Sequence, residues 1–203
     1  KGVPLHVPTM YLRLIRRTVS SIKGFSKNDS IVVVFDTNTI NDNTALSEDY
    51  KANRRAFADD EDSPYVPIPH VQKILEILNI SYLELPNIEA DDIIASISIS
   101  FCKKLPTNKV YIVSADTDFY QLLNKQTSIL QLKKGDDYKV VRPKHIKDEL
   151  GVTPKQYVEF KSLTGDPADN IKGASGVGKI TAKKIINKEV YFDSGVYKEM
   201  LGR

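Results

Sequence analysis

Ile31-Val32-Val33-Val34-Phe35-Asp36 is a continuous apolar run that ends on a carboxylate. A run of this kind suits a strand buried on both faces, the mark of a parallel sheet. Further strands are predicted at 80–85, where apolar and polar residues alternate, at Lys109-Val-Tyr-Ile-Val113 and at 128–133. Apolar spacings of three and four predict helices between them. One covers 9–23, with Tyr11, Ile15, Val19 and Ile22 along one face and Gly24 ending it. A second covers about 69–79, through Val71, Ile74, Leu75 and Leu78, and a third covers 90–103. Strand alternating with helix predicts an α/β fold with a doubly wound, mainly parallel sheet. From Pro143 onward the pattern turns helical, with short helices expected near 143–150, 154–163 and 178–187. Residues 37–64 are polar without a steady apolar period and read as an insertion, mobile or partly helical. Residues 190–203 fit no clear pattern.

Length and composition bound the function. The 203 residues suffice for one substantial α/β domain and a small appendage. No apolar run approaches the roughly 20 residues of a membrane span. No signal segment opens the sequence, so an intracellular setting is expected. The single cysteine, Cys102, follows the apolar stretch Ile93–Phe101 and reads as core packing in a reducing compartment. His6, His70 and His145 lie far apart without cysteine partners, which excludes a finger-type zinc site.

Eight of the 26 acids concentrate in four motifs: Asp36, Glu89-Ala-Asp91-Asp92, Asp116-Thr-Asp118 and Asp166-Pro-Ala-Asp169. The 29 Lys and Arg residues then face 18 acids elsewhere, a basic body around an acidic focus, as an enzyme acting on a polyanion needs. In an open α/β sheet, sites form at the carboxyl ends of strands, which is where Asp36, Asp116 and Asp118 fall. Glu89 and Asp92 share a face of a helix start. Gathered carboxylates need cations, and oxygen-only ligands select hard ions, Mg²⁺ or Mn²⁺. Two such ions serve in-line displacement at phosphorus. Taken singly, Asp36 also reads as a cap, Asp116 and Asp118 as loop acids, and Glu89-Asp91-Asp92 as a dipole-matched first turn. The set after successive strands argues for the metal reading.

Two further stretches suit DNA. In Tyr50-Lys51-Ala-Asn-Arg54-Arg55, a helix would place Lys51 and Arg54 or Arg55 on one face to grip phosphates, with Tyr50 stacking on a base. As a plain charge run it would instead be a solvated face. Gly173-Ala-Ser175-Gly176-Val-Gly178 leads into Lys179-Ile-Thr181-Ala-Lys183, so helix-start N–H groups could cradle duplex phosphates without reading bases. A nucleotide P-loop is excluded, because its spacing demands Ser or Thr at the position of Ile180.

The order Phe35-Asp36, Tyr50-Lys-Ala-Asn-Arg54, Glu89-Ala-Asp-Asp92, Ser114-Ala-Asp-Thr-Asp118, Gln121-Leu-Leu123, Leu163-Thr-Gly-Asp-Pro-Ala-Asp-Asn-Ile171 and Gly173-Ala-Ser-Gly-Val-Gly-Lys-Ile-Thr-Ala182 resembles the bacterial-type 5′–3′ exonuclease and flap endonuclease family. That family includes the N-terminal nuclease domain of DNA polymerase I. The similarity spans roughly residues 1–187. It implies a PIN-like (resolvase-like) domain over 1–142 with an arch insertion at about 37–66, then a helix-three-turn-helix DNA-binding domain over 143–203. It implies a monomer that cuts 5′ flaps and trims branched or nicked duplex DNA, beside a fused or recruited polymerase. By motif, Asp36, Glu89, Asp91, Asp92, Asp116, Asp118, Asp166 and Asp169 would hold two divalent ions directly or through water. Asp36, Asp116 and Asp118 would be catalytic, together with Lys51, which with Arg54 steers the 5′ strand from the arch. Loop 173–178 would bind K⁺ and touch the duplex. The resemblance also implies a strand ending in Asp before Lys1-Gly2-Val3-Pro4, and it places Asn43 where the family often has an arginine. A junction-binding module with impaired chemistry is therefore a second expectation, and an RNase of the wider PIN group a third.

Overall fold

The structure, a computed structural model, describes residues 6–37, 67–133 and 138–189. The chain divides into two compact units. One comprises Lys1–Ile97 with Leu130–Lys139, and the other comprises Ser98–Ile129 with Val140–Arg203.

In the first unit, helix α1 (His6–Ser21) precedes strand β1 (Val32–Val34), and helix α2 (Ile68–Ile77) precedes strand β2 (Ser81–Leu83). The two strands pair in parallel, with Val33 opposite Tyr82, and Phe35 N–H extends the ladder to the Leu83 carbonyl at 2.9 Å. Burial along β1 alternates. Val33 and Phe35 are buried with Val71 and Leu75 of α2, against Tyr11 and Ile15 of α1, whereas Val32 is 43% exposed. The expectation of a strand buried on both faces is thus corrected, because α1 and α2 cover the same face and side chains on a strand alternate sides. The Phe35 ring stacks on Tyr11 and meets Tyr82 edge-on, both at 6.0 Å between centroids. Thr18, buried on α1, meets the Tyr138 hydroxyl at 2.7 Å, and the Arg17 guanidinium lies 5.6 Å from the centre of the Tyr138 ring. Helix α3 (Ala90–Lys104) begins in this unit with Asp91 and Asp92 in its first turn and ends in Lys103 and Lys104, matching both ends of its dipole.

Strands β3 (Val110–Val113), β4 (Thr127–Leu132) and β5 (Tyr138–Val141) form a three-stranded sheet in that order. Within the second unit, a 3₁₀ turn at Asp118–Leu122 follows β3. Gln126 Nε2 lies 3.1–3.3 Å from the carbonyls of Cys102, Leu105 and Asn108, tying the connection that leads into β3. Cys102 packs beside Thr127. Helix α4 (Pro143–Leu150) starts at Arg142, whose N–H donates to His145 Nδ1, and stops at Gly151 in the left-handed region. Helix α5 (Tyr157–Thr164) leads into a tight hairpin of β6 (Gly165–Asp166) and β7 (Ile171–Lys172), and helix α6 (Lys179–Ile186) follows. The hairpin and the 118–122 turn are absent from the sequence pattern.

Two glycines make the hairpin possible. Gly165 sits at φ 76°, ψ 176°, a region essentially closed to other residues. A Cβ there would lie 2.4 Å from the Gly173 nitrogen, and one at Gly173 would lie 2.6 Å from the Gly165 nitrogen. Ala174 N–H donates to the Leu163 carbonyl at 2.9 Å and seals the contact.

Three substitutions test these assignments. Gly165→Ala should lower stability by at least about 1–3 kcal/mol from backbone strain alone. Gly178→Ala, whose added Cβ would meet nothing within 4 Å, should leave the urea midpoint nearly unchanged. In the first unit, Leu75→Ala should cost about 2–5 kcal/mol in the same measurement, since the side chain is fully buried.

Candidate metal centre

Asp118, Asp166 and Asp169 each present a carboxylate oxygen within 4.8 Å of the others. Local geometry brings them there. Ser114 Oγ accepts the Asp116 N–H at 3.0 Å, and Asp116 Oδ1 accepts the Asp118 N–H at 2.9 Å, so the loop after β3 coils directly into the 118–122 turn. Phe119, Tyr120 and Leu123 then anchor the turn in the core. The Tyr120 ring lies 5.3 Å from that of Tyr157 on α5, and Tyr157 in turn stacks on Phe160. Burial raises the Tyr157 phenol above its ordinary value, and a hydrogen bond to Thr117 works against that shift. This aromatic joint fixes Asp118 relative to α5, which runs straight into Gly165-Asp166. Asp166 Oδ1 caps the next turn by accepting the Ala168 N–H at 3.0 Å, and Asp169 sits in that same turn. Asn170, at φ 60°, reverses the chain into β7.

Lys161 lies one helical turn after Tyr157 and points into the trio. Its Nζ is 3.0 Å from Asp118 Oδ1 and pairs with Asp166 Oδ2. Burial pulls this ammonium down, but the hydrogen bonds to Asp166 and then Asp118 outweigh it and raise it above the ordinary lysine value. The same contact holds the Asp166 carboxyl below the usual carboxylate range. Three carboxylates and one ammonium leave two negative charges. Asp118 Oδ1 is shielded from solvent and faces the Lys161 ammonium. An all-oxygen set with a surplus negative charge fits a hard cation.

In the first unit, Asp36 follows β1 and its Oδ1 accepts the Ala90 N–H at 2.7 Å, so it caps the start of α3. Glu89, just ahead of that start, is buried at 5% exposure. Asp91 and Asp92 occupy the first turn, where Asp91 Oδ1 accepts the Asp92 N–H at 2.9 Å. Asp36 and the Glu89–Asp92 motif therefore meet at one helix N-terminus. Asp116 is exposed and spends Oδ1 on the Asp118 amide, outside the trio.

Tyr50, Lys51, Arg54 and Arg55, with Asn43, lie outside the described residues. Ser175, Gly176, Gly178 and Lys179 are exposed around the start of α6, Thr181 is half-buried, and the Lys183 side chain lies over Gly151. Gly173 is engaged by Gly165. Lys161, which contacts two of the three carboxylates, is the residue that sequence reasoning missed. Its only signal was position, one turn before a Gly-Asp pair.

Residues 1–151 match the family model described as 5′-3′ exonuclease, N-terminal resolvase-like domain. The chain is 30% identical over 191 residues to DNA polymerase I of Deinococcus radiodurans, covering 93% of this chain and 18% of that protein. It is 32% identical over 173 residues to the 5′-3′ exonuclease of Buchnera aphidicola subsp. Schizaphis graminum, covering 85% of this chain and 58% of that one. The chain thus spans under a fifth of the first relative and just over half of the second. Among solved structures it superposes on the T5 D15 protein co-crystallised with metal ions at a TM-score of 0.72 and 17% identity, covering 96% of this chain and 77% of that one. It also superposes on the catalytic core of Rad2 in complex with DNA substrate at 0.55 and 19%, covering 89% and 52%. At these identities the superpositions speak for the fold alone, an α/β fold of the resolvase-like kind. With the family model spanning most of its length, and with acidic motifs at the strand and helix ends just described, the chain belongs to the 5′-3′ exonuclease family.

Proposed function

We propose that this chain is a structure-selective 5′ nuclease that hydrolyses DNA phosphodiester bonds, as exonuclease and flap endonuclease, with two Mg²⁺ or Mn²⁺ ions. The observation that carries the reading is the Asp118–Asp166–Asp169 trio, whose carboxylate oxygens lie close enough together to hold one hard cation. In this proposal Asp36, Glu89, Asp91, Asp92 and Asp116 also take part in holding divalent ions, directly or through water. Bound ions of this type lower the pKa of an attacking water and neutralise the leaving oxygen.

The residues themselves supply position and charge. Asp166 and Asp169 ride on one short turn, so they move together, and Asp116 orients Asp118 through the Asp118 amide. The holding of duplex backbone is assigned, under the same proposal, to a helix-three-turn-helix DNA-binding domain within 143–203. Ser175, Gly176, Gly178 and the first N–H groups of α6 face phosphate, K⁺ sits at loop 173–178, and Lys179, Thr181 and Lys183 add side-chain contacts. Steering of the 5′ strand is given, on this reading, to Lys51 and Arg54, and further contacts to DNA to Tyr50 and Arg55. No helix among the described residues is long and apolar enough to cross a membrane. An intracellular monomer working with a DNA polymerase completes the proposal.

On a 5′-labelled flap duplex, Mg²⁺ should release the flap, and excess chelator should stop release. Asp118→Asn and Asp166→Asn should each lower the rate at least about 100-fold, the upper range for loss of a group that only supports a metal ligand. Cutting that persists in chelator would refute the metal mechanism, and binding without any product would favour the junction-binding reading. Lys179→Ala should weaken duplex binding across sequences and reduce the slope of log affinity against log salt by about 1.

A further inference from the structure

The apparent flaw in the metal centre is that a lysine already stands in it. Lys161 Nζ contacts two of the three carboxylates, Asp118 and Asp166. It is held there from both sides, since its helix is locked to the 118–122 turn through Tyr157 and runs directly into the Gly165–Asp166 strand. An ammonium is a compact charge on a flexible stem, able to occupy a cation position and also to leave it. Without it, carboxylates at this spacing would repel one another.

We propose that Lys161 is a tethered cation that shares the Asp118–Asp166–Asp169 position with the divalent ion, so that the ion binds by displacing its ammonium. This inference rests on the trio being a metal site, as proposed above. Two consequences follow from charge. In the absence of metal, Lys161 stabilises the folded site by offsetting one carboxylate. When the ion arrives, the ammonium must give up Asp118 and Asp166, and its own positive charge opposes the incoming one. Lys161 therefore lowers the affinity of this position for divalent ions. Its part is one of occupancy and positioning, exerted through the carboxylates.

The test is Mn²⁺ binding to the full chain, read from the free-ion EPR signal without DNA, with melting temperature measured in parallel. Asp169→Asn should remove one ion from the wild-type isotherm. Lys161→Met and Lys161→Gln should bind that same ion at least about tenfold more tightly, and Lys161→Arg should stay near wild type. Both neutral variants should melt below wild type without metal and gain more from saturating Mn²⁺. A purely structural lysine would lower the melting point without tightening Mn²⁺. If Asp169→Asn removes an ion while both neutral variants bind it equally or more weakly, the Lys161 proposal is overturned and the metal site stands. If Asp169→Asn leaves the isotherm unchanged, the trio is no metal site and both readings fall.

Discussion

Like charges held at close range set the main constraint on this molecule. Carboxylate oxygens of Asp118, Asp166 and Asp169 within 4.8 Å of one another repel unless a cation stands among them. The fold resists that repulsion mechanically as well as electrostatically. Tyr120 against Tyr157 secures the turn carrying Asp118, and Gly165 against Gly173 secures the hairpin carrying Asp166 and Asp169. Neither contact involves a charged group, so the arrangement of acids is built by packing and Lys161 offsets part of its charge.

The acids of the first unit face a different environment. Asp36 caps α3 through the Ala90 amide, so its charge is favoured by the partial positive end of a helix. Capping and metal binding are compatible roles, because a carboxylate has about four acceptor positions and one N–H fills one of them. The cap orients the Asp36 carboxylate.

The glycine-rich segment divides into two jobs. Gly173 is consumed by the contact with Gly165, where no Cβ fits. Gly176 and Gly178 have open space around them, and an exposed backbone at a helix start is suited to a phosphate. The segment looks uniform in sequence, yet its first glycine serves the acidic hairpin and its later ones leave backbone free for a ligand.

Periodicity alone located most of the elements that carry the acids: β1 before Asp36, the helix opening at Ala90, β3 before Asp116, and helices α4, α5 and α6 within a few residues of their ends. Those signals are local, arising from side-chain spacing that matches 2.0 or 3.6 residues per repeat. The β6–β7 hairpin escaped because two residues per strand carry no period, and β5 because Tyr138–Val141 is short and lies beside residues with no apolar pattern. One-sided burial of β1 escaped because a run of valines reads the same whether one face is covered or two. The acids were legible as residues, and spacing placed Glu89 and Asp92 on one face of a helix start; the turns that carry Asp118, Asp166 and Asp169 were not legible. Nor was Lys161, since a lysine on a helix is ordinarily solvated. Only the tertiary path, which folds α5 back beside the 118–122 turn and reverses sharply after it, brings that ammonium between Asp118 and Asp166.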